Sequence, residues 1–440
     1  MTQPVAISLL DLRSTGFETA RVNELLPRAA VDVTAALESV LPLIADVSAR
    51  GEAAIVEVTQ QRDGVDPRPI LVELDEIEAA VAALDPDLRA AIELAIQRVR
   101  LVSASNLPDD TTVVLANGAQ VHQRWLPVDS VGLYVPGGKA VYPSSVIMNV
   151  VPAQIAGVPR LALTSPAQKA FGGRPHPTVL ATAGLLGLRE VYCMGGPAAV
   201  AAFAYGVPEI GLEPVRMVTG PGNIYVTAAK RALRGKIGID SEAGTTEILI
   251  IADETANARY VALDLISQAE HDEAAASVLV TTSIELANAV ANELPPLVAN
   301  TAHSERVRTA LEGRQSAIVV VASLDDAIRF SNEYATEHLE LHTANNEDVL
   351  EQITNAGAVF MGEYSPVSLG DYMAGSSHVL PTGQQAKFGS GLGVHSFLRA
   401  QQVIDYNRDG LEPIAGAVNN FAQAEGLPAH GEAILGRFEE

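Results

Sequence analysis

Val131-Gly132-Leu133-Tyr134-Val135-Pro136-Gly137-Gly138 is a short apolar run that stops at a pair of glycines, and a helix-forming stretch near 145–156 follows it. The same unit recurs three times downstream. The run 160–164 precedes a helix near 177–186, and 191–194 precedes Gly195-Gly196 and a helix over 198–205. The run 215–218 then precedes Gly220-Pro221-Gly222-Asn223 and a helix to about residue 234. Four strand–turn–helix units in a row predict a parallel sheet covered on both faces. A second run follows, with strands expected at 247–252, 277–282, 317–322 and 357–361. The chain therefore reads as α/β, with two parallel-sheet modules joined near 239–246. Residues 30–130 show Ala, Glu and Leu at helical spacing, as in 85–101, and are expected to pack on the second module. The tail after about 393 reads as helices and loops without a core of its own, so it has to pack on something else, such as a partner subunit.

Bulk properties bound the function. The 440 residues are 48% hydrophobic and 19% charged, a globular composition with room for more than one domain. A net charge of −24 speaks against a nucleic-acid partner, because phosphate binding needs a basic surface. Cys193 is the one cysteine, so no intramolecular disulfide or cysteine-based zinc cluster forms. The start of the chain lacks the basic and apolar regions of a signal peptide, and the long uncharged stretch 140–159 carries Pro143, Pro152, Asn149 and Gln154. That stretch is read as a buried helix, not a membrane span, and the chain as cytoplasmic.

Four islands carry chemistry. Ser368-Leu369-Gly370-Asp371-Tyr372-Met373-Ala374-Gly375-Ser376-Ser377-His378-Val379-Leu380-Pro381-Thr382 gathers a carboxylate, an imidazole and hydroxyls among glycines after an apolar run. A strand that ends in such a loop is where α/β enzymes place their site. Gln268 and His271 stand three apart, on one helix face, as half of a metal site or as a surface pair beside Asp272 and Glu273. Glu337 and His338 are adjacent, and in a loop both can point into one cleft as acid and base; an ion-paired helix end with Glu340 and His342 is the alternative. His430 lies near the C-terminus, where exposed histidines are common. The glycine turns either bring N–H groups to a phosphate or are ordinary tight turns, and none matches G-x-G-x-x-G. Cys193, inside an apolar strand, is read as a buried thiol and not as a nucleophile.

Taken together, these islands resemble the histidinol dehydrogenase family, over about residues 32–437. The resemblance rests on long segments in the family's order: 132–138, 220–227, Ser267-Gln268-Ala269-Glu270-His271, Ala335-Thr336-Glu337-His338-Leu339, 368–382 and Gly426-Leu427-Pro428-Ala429-His430. It implies oxidation of L-histidinol to L-histidine with two NAD⁺ and one water, through a bound histidinaldehyde, by a domain-swapped homodimer of Rossmann-like modules with one zinc per site. By position, Gln268, His271 and Asp371 would bind zinc from one subunit and His430 from the other. Glu337 and His338 match the acid–base pair, His338 as general base and Glu337 to activate water. Thr246, His378 and Glu425 match substrate contacts, as do Gln268, His271, His338, Asp371 and His430. Tyr134 and Asn223 match positions that hold NAD. The implied division is an N-terminal extension (1–29), a larger module carrying the zinc and acid–base positions (30–133 with 247–392), an NAD module (134–246), and a tail (393–440) reaching the partner.

Two departures stand out. Gly195-Gly196-Pro197-Ala198 replaces the family's Gly-Gly-Ala-Gln, which removes an amide side chain associated with NAD. Ala243-Gly244-Thr245-Thr246-Glu247 replaces Ala-Gly-Pro-Ser-Glu and keeps the hydroxyl at Thr246. A dehydrogenase for another amino alcohol, a zinc-dependent hydrolase working without NAD⁺ and a non-catalytic binding protein are the competing readings.

Overall fold

The computed structural model describes residues 5–29, 33–137, 141–242 and 244–439, so Gly138 and Ala243 of the motifs above lie outside the described residues. The chain starts with β1 (Ser8–Asp11) and, after a series of helices, forms an antiparallel hairpin of β2 (Thr111–Ala116) and β3 (Ala119–Pro127). Strands β4 (Ser130–Tyr134), β5 (Arg160–Ser165), β6 (Glu190–Cys193), β7 (Met217–Thr219) and β8 (Gly238–Ile239) make a parallel sheet in the order β6-β5-β4-β7-β8. Strands β9 (Glu247–Ala252), β10 (Ala276–Thr281), β11 (Ala317–Val320), β12 (His338–His342) and β13 (Ala358–Met361) make a second, in the order β11-β10-β9-β12-β13, with β1 added beside β11. Strand β14 (Leu398–Tyr406) pairs with β3 along its whole length.

Both parallel sheets therefore share one topology, in which the chain runs outward from a central strand and then restarts on its other side. The first reverses between β4 and β7, the second between β9 and β12, and such a switch point opens a crevice between diverging loops. Helices cover both faces, so the inner strands of the second sheet are buried along their whole length. All of Glu247–Ala252 and Ala276–Thr281 is buried. The uncharged stretch near 140–159 is the helix Pro143–Ile155, buried from Ser145 to Ala153. Among the described residues no helix is long and apolar enough to cross a membrane.

Three expectations need correction. The helices of residues 33–105 pack on the first module, not the second. Helix Val33–Arg50 presents Ala36, Val40, Ile44 and Val47 to the alanine-rich helix Gly196–Tyr205, and helix Pro86–Ser105 sets Ile92, Ile96 and Val99 against Pro143–Ile155. An apolar stripe goes to whichever face accepts it, and helical periodicity does not say which. The N-terminal segment is not a free extension, because β1 completes the edge of the larger sheet. The tail is not all helix and loop, since it opens with a nine-residue strand. Within the first module a buried ion pair fixes the turn after β7. Lys230 Nζ donates to Asp240 Oδ1 and to the Gly220 carbonyl, both at 2.6 Å, while Asp240 Oδ2 accepts from Gly220 N–H at 2.8 Å.

Replacing Lys230 with Met strands a buried carboxylate, so we expect a loss of about 3–5 kcal/mol. Denaturant unfolding followed by circular dichroism measures it. A variant as stable as the parent would show that the pair does not fix this turn.

Candidate active site

The acid–base residues enter at the start of strands, not at their ends. Thr246 immediately precedes β9, and Glu337 immediately precedes β12, whose first residue is His338. The expected loop for Glu337-His338 is thus half strand. Facing them, from the ends of β4 and β7, come Pro136 and the turn Pro221-Gly222-Asn223. A cleft of roughly 530 Å³ lies between these two edges. The segment Asp371–Thr382 also lines it, having left β13 at the far end of the sheet and returned.

Glu337 and His338 are almost fully buried, at 6% and 3% exposure. The backbone of one residue serves both: Glu247 N–H donates to Glu337 Oε2 at 3.0 Å, and the Glu247 carbonyl lies 3.1 Å from His338 Nδ1. A carbonyl only accepts, so Nδ1 carries the hydrogen and Nε2 is left with a free lone pair. Burial pushes the Glu337 carboxyl up to about 8, against the pull of the Thr246 hydroxyl and the Glu247 N–H. Burial lowers His338 below its ordinary value, opposed chiefly by the Asp371 charge, so the ring is neutral at pH 7.

Thr246 Oγ1 donates to Glu337 Oε2 at 2.5 Å and accepts from Gln268 Nε2 at 2.7 Å. That aims the Gln268 amide and leaves its Oε1 buried with no partner. Helix Ala258–Ala269 ends before His271, so the two residues do not share a helix face as expected. Instead His271 Nδ1 lies 3.2 Å from the Gln268 carbonyl, which fixes the ring with Nε2 outward, 3.8 Å from Asp371 Oδ2. An orphaned amide oxygen, an oriented imidazole and a carboxylate suit a zinc ion lacking one ligand. His378 is held by both nitrogens, Nδ1 at 3.0 Å from the Asp371 carbonyl and Nε2 at 3.1 Å from Ser145 Oγ.

Other assigned positions lie elsewhere. His430 and Glu425 are exposed on the tail and do not line the cleft of their own chain. Tyr134 is buried under the turn after β6, its hydroxyl accepting from Gly196 N–H at 3.1 Å. Asn223 lines the cleft, but its side-chain oxygen caps the following helix through Tyr225 and Val226. Ala198 is buried in the first module's core. Burial pushes the Cys193 thiol up to about 12, which removes it from the chemistry. Ser145 and Glu247 were missed as site residues. Nothing in the local sequence marks Ser145, and Glu247 acts mainly through its backbone.

Among the described residues, the group of three acids and histidines whose ligand atoms fall within 4.8 Å is a different one, Asp264, Glu340 and His342. It lies on the helix Ala258–Ala269 and β12, and Glu340 Oε1 accepts from Val367 N–H at 2.8 Å, at the head of the helix carrying Asp371. Burial, then the neighbouring Glu340, pushes the Asp264 carboxyl up to about 8. His342 Nε2 is 3.3 Å from Glu340 Oε2 without making a hydrogen bond.

Glycine turns at the switch point of the first sheet, facing a buried acid–base pair at the strand starts of the second, give this α/β enzyme the site of a dehydrogenase. The sequence profile of the family "Histidinol dehydrogenase" matches residues 26–438. The histidinol dehydrogenase of Leifsonia xyli subsp. xyli is 58% identical over 431 residues, 98% of this chain and 99% of that one. That of Thermobifida fusca is 55% identical over 431 residues, covering 98% and 97%. The crystal structure of histidinol dehydrogenase from Elizabethkingia anophelis superposes with a TM-score of 0.92 at 32% identity, covering 98% of each chain. The chain belongs to the histidinol dehydrogenase family, the NAD-dependent oxidoreductases of the final steps of histidine biosynthesis.

Asp264 is protonated when folded and ionised when unfolded between about pH 4 and 8, so it lowers stability progressively across that window. Asp264→Asn keeps a donor for Glu340 and removes the dependence. We expect its advantage over the parent to grow to on the order of a few kcal/mol by pH 8. Thermal unfolding at pH 5 and pH 8 measures this, and a pH-independent difference would contradict the raised Asp264 pKa.

Proposed function

We propose that the cleft oxidises L-histidinol to L-histidine in two steps through histidinaldehyde, with His338 as base and Glu337 activating water. The observation that carries this reading is the Glu247 backbone, whose carbonyl leaves His338 Nε2 a free acceptor beside a carboxyl held at a high pKa. In the first step Nε2 accepts the hydroxyl proton as hydride leaves the carbinol carbon. In the second, Glu337 takes a proton from water as the water's oxygen bonds to the aldehyde carbon and His338 returns its proton to the aldehyde oxygen; His338, neutral again, then takes a hydroxyl proton of the hydrate as the second hydride leaves. A carboxylate whose conjugate acid sits near pH 8 is a much stronger base than an exposed one, which suits it to water.

Gln268, His271 and Asp371, with the partner subunit's His430, would hold zinc, and His378 and Glu425 would contact substrate. Zinc, when bound, supplies a positive charge that anchors the substrate's imidazole and amine. Two NAD⁺ per turnover are the electron acceptors. Asn223 and the turns near Tyr134 would hold them, because the helices after β4 and β7 start at the cleft and bring N–H groups to a pyrophosphate. Ala198 leaves that contact set one amide short. The exposed positions of Glu425 and His430 support a homodimer in which each tail completes the other site. The same reading places the enzyme in the cytoplasm.

Chelator-treated protein is expected to make no NADH from L-histidinol, and Zn²⁺ to restore two NADH per substrate; NADH formation untouched by full metal removal contradicts the zinc assignment. His338→Asn should lower kcat by about 10²–10⁴-fold. Glu337→Gln should spare the alcohol step and depress aldehyde oxidation. In the parent, aldehyde oxidation should rise with pH through about 8 as Glu337 ionises, while the acid limb of alcohol oxidation lies below pH 6.5. A Glu337→Gln variant that keeps the rise near pH 8 would remove Glu337 from that role.

A further inference from the structure

We propose that Arg28 and the Glu247 side chain form a clamp that positions the acid–base pair, an inference that rests on the roles given above to Glu337 and His338. Neither side chain lines the cleft. Arg28 comes from the segment after β1, 219 residues before Glu247, and is mostly buried. Its Nε donates to Glu247 Oε2 at 2.6 Å and its Nη2 reaches Oε1 at 3.4 Å. Nη1 donates to Asn23 Oδ1 at 2.7 Å, and the guanidinium lies 3.9 Å above the Tyr334 ring while also bonding the Tyr334 carbonyl.

These contacts reach the acid–base segment from both sides. Tyr334 ends the helix Leu324–Tyr334, three residues before Glu337. Between them Ala335 adopts φ 50, a left-handed conformation that alanine does not favour and that its surroundings must hold in place. On the other side, the backbone N–H and carbonyl of Glu247 are the groups that bind Glu337 Oε2 and His338 Nδ1. Glu247 Oε1 also accepts from Gly383 N–H at 3.0 Å, next to Thr382, whose hydroxyl bonds Gly244 N–H. The arginine thus fixes the helix end, the start of β9 and the returning loop at one point.

Glu247 is buried and its pKa is raised by that burial, with Arg28 the chief opposing influence. Without the guanidinium the carboxylate has no cation beside it, and it takes up a proton or draws in water. Either response shifts the first peptide of β9. A displacement of about 1 Å in a catalytic group costs about 10²-fold in rate.

The test uses the full-length, zinc-loaded enzyme and four variants: Arg28→Met, Arg28→Lys, Glu247→Gln and His338→Asn. We expect Arg28→Met and Glu247→Gln to lower kcat for both oxidation steps by about 10²-fold. Their KM values for L-histidinol and NAD⁺ should stay within about threefold of the parent's, the mark of a lost transition-state alignment. Arg28→Lys keeps the charge and loses the fork, and should recover part of the kcat. If Arg28→Met does not fold, Arg28→Lys and Glu247→Gln carry the comparison. Unchanged kcat, a loss that only follows the folded fraction, or a loss confined to KM overturns the clamp. Full kcat in His338→Asn instead overturns the base assignment on which the clamp rests, whereas a normal loss there beside unaffected Arg28 and Glu247 variants overturns the clamp alone.

Discussion

The site depends on the register of β12 against β9. His338 pairs with Ile248 in a parallel ladder, so Glu337 lies level with Glu247 at the mouth of the sheet. Side chains alternate along a strand, and a slip of one residue would turn His338 away from the cleft and point Leu339 into it. Burial makes the register strict: Leu339 and Leu341 are fully buried in one core cluster, and Ile248 and Ile250 in the other. The hydrophobic effect thus sets a position that hydrogen bonds from Glu247 then fix to within tenths of an ångström. The chemistry needs a neutral imidazole with a known tautomer, and the ladder supplies the carbonyl that selects it.

A buried carboxyl needs donors, and here one hydroxyl does two jobs. Thr246 gives its only hydrogen to Glu337, so it can only accept from Gln268, and the amide of Gln268 must turn its oxygen away. The proposed metal ligand is therefore oriented by the proposed water-activating acid, through one atom. A serine would supply the same hydroxyl. The methyl of threonine adds a preferred rotamer, which keeps the hydroxyl aimed at Glu337 when the preceding turn lacks the family's proline.

The fold was legible where periodicity is strong. Strand 247–252 was placed to the residue, and the β4–β7 units were placed to within a few residues, because apolar runs bounded by glycine turns have few other readings. Strand β12 was missed because Glu337-His338-Leu339-Glu340-Leu341-His342 alternates polar with apolar, as an exposed edge strand does, yet sits at the centre of a sheet. Its polar residues are buried because they serve the site and the Asp264 cluster, which no local pattern announces. The β2–β3 hairpin was missed inside the stretch 30–130 read as helical, although Asn117-Gly118 stands at its turn with Gly118 at φ 74. The packing of helices 33–105 on the first module was not legible, because an amphipathic stripe says that a helix is covered and not by what.

The site residues divide the same way. The side chains proposed to do the chemistry were named through the family resemblance, since spacing alone left Gln268 and His271 open as a surface pair and Glu337 and His338 as an ion-paired helix end. Those that act through the backbone or through a distant ion pair could not be named. Glu247 contributes an N–H and a carbonyl that any residue would offer, and its side chain matters because of Arg28, 219 positions away. The tail poses the converse case. Ile404 on β14 and Phe421 on the helix Ala415–Ala424 are about three-quarters exposed, more than a stable single chain leaves uncovered without reason. The proposed exchange of tails would cover those side chains and bring His430, on the same segment, to the proposed zinc position with one contact.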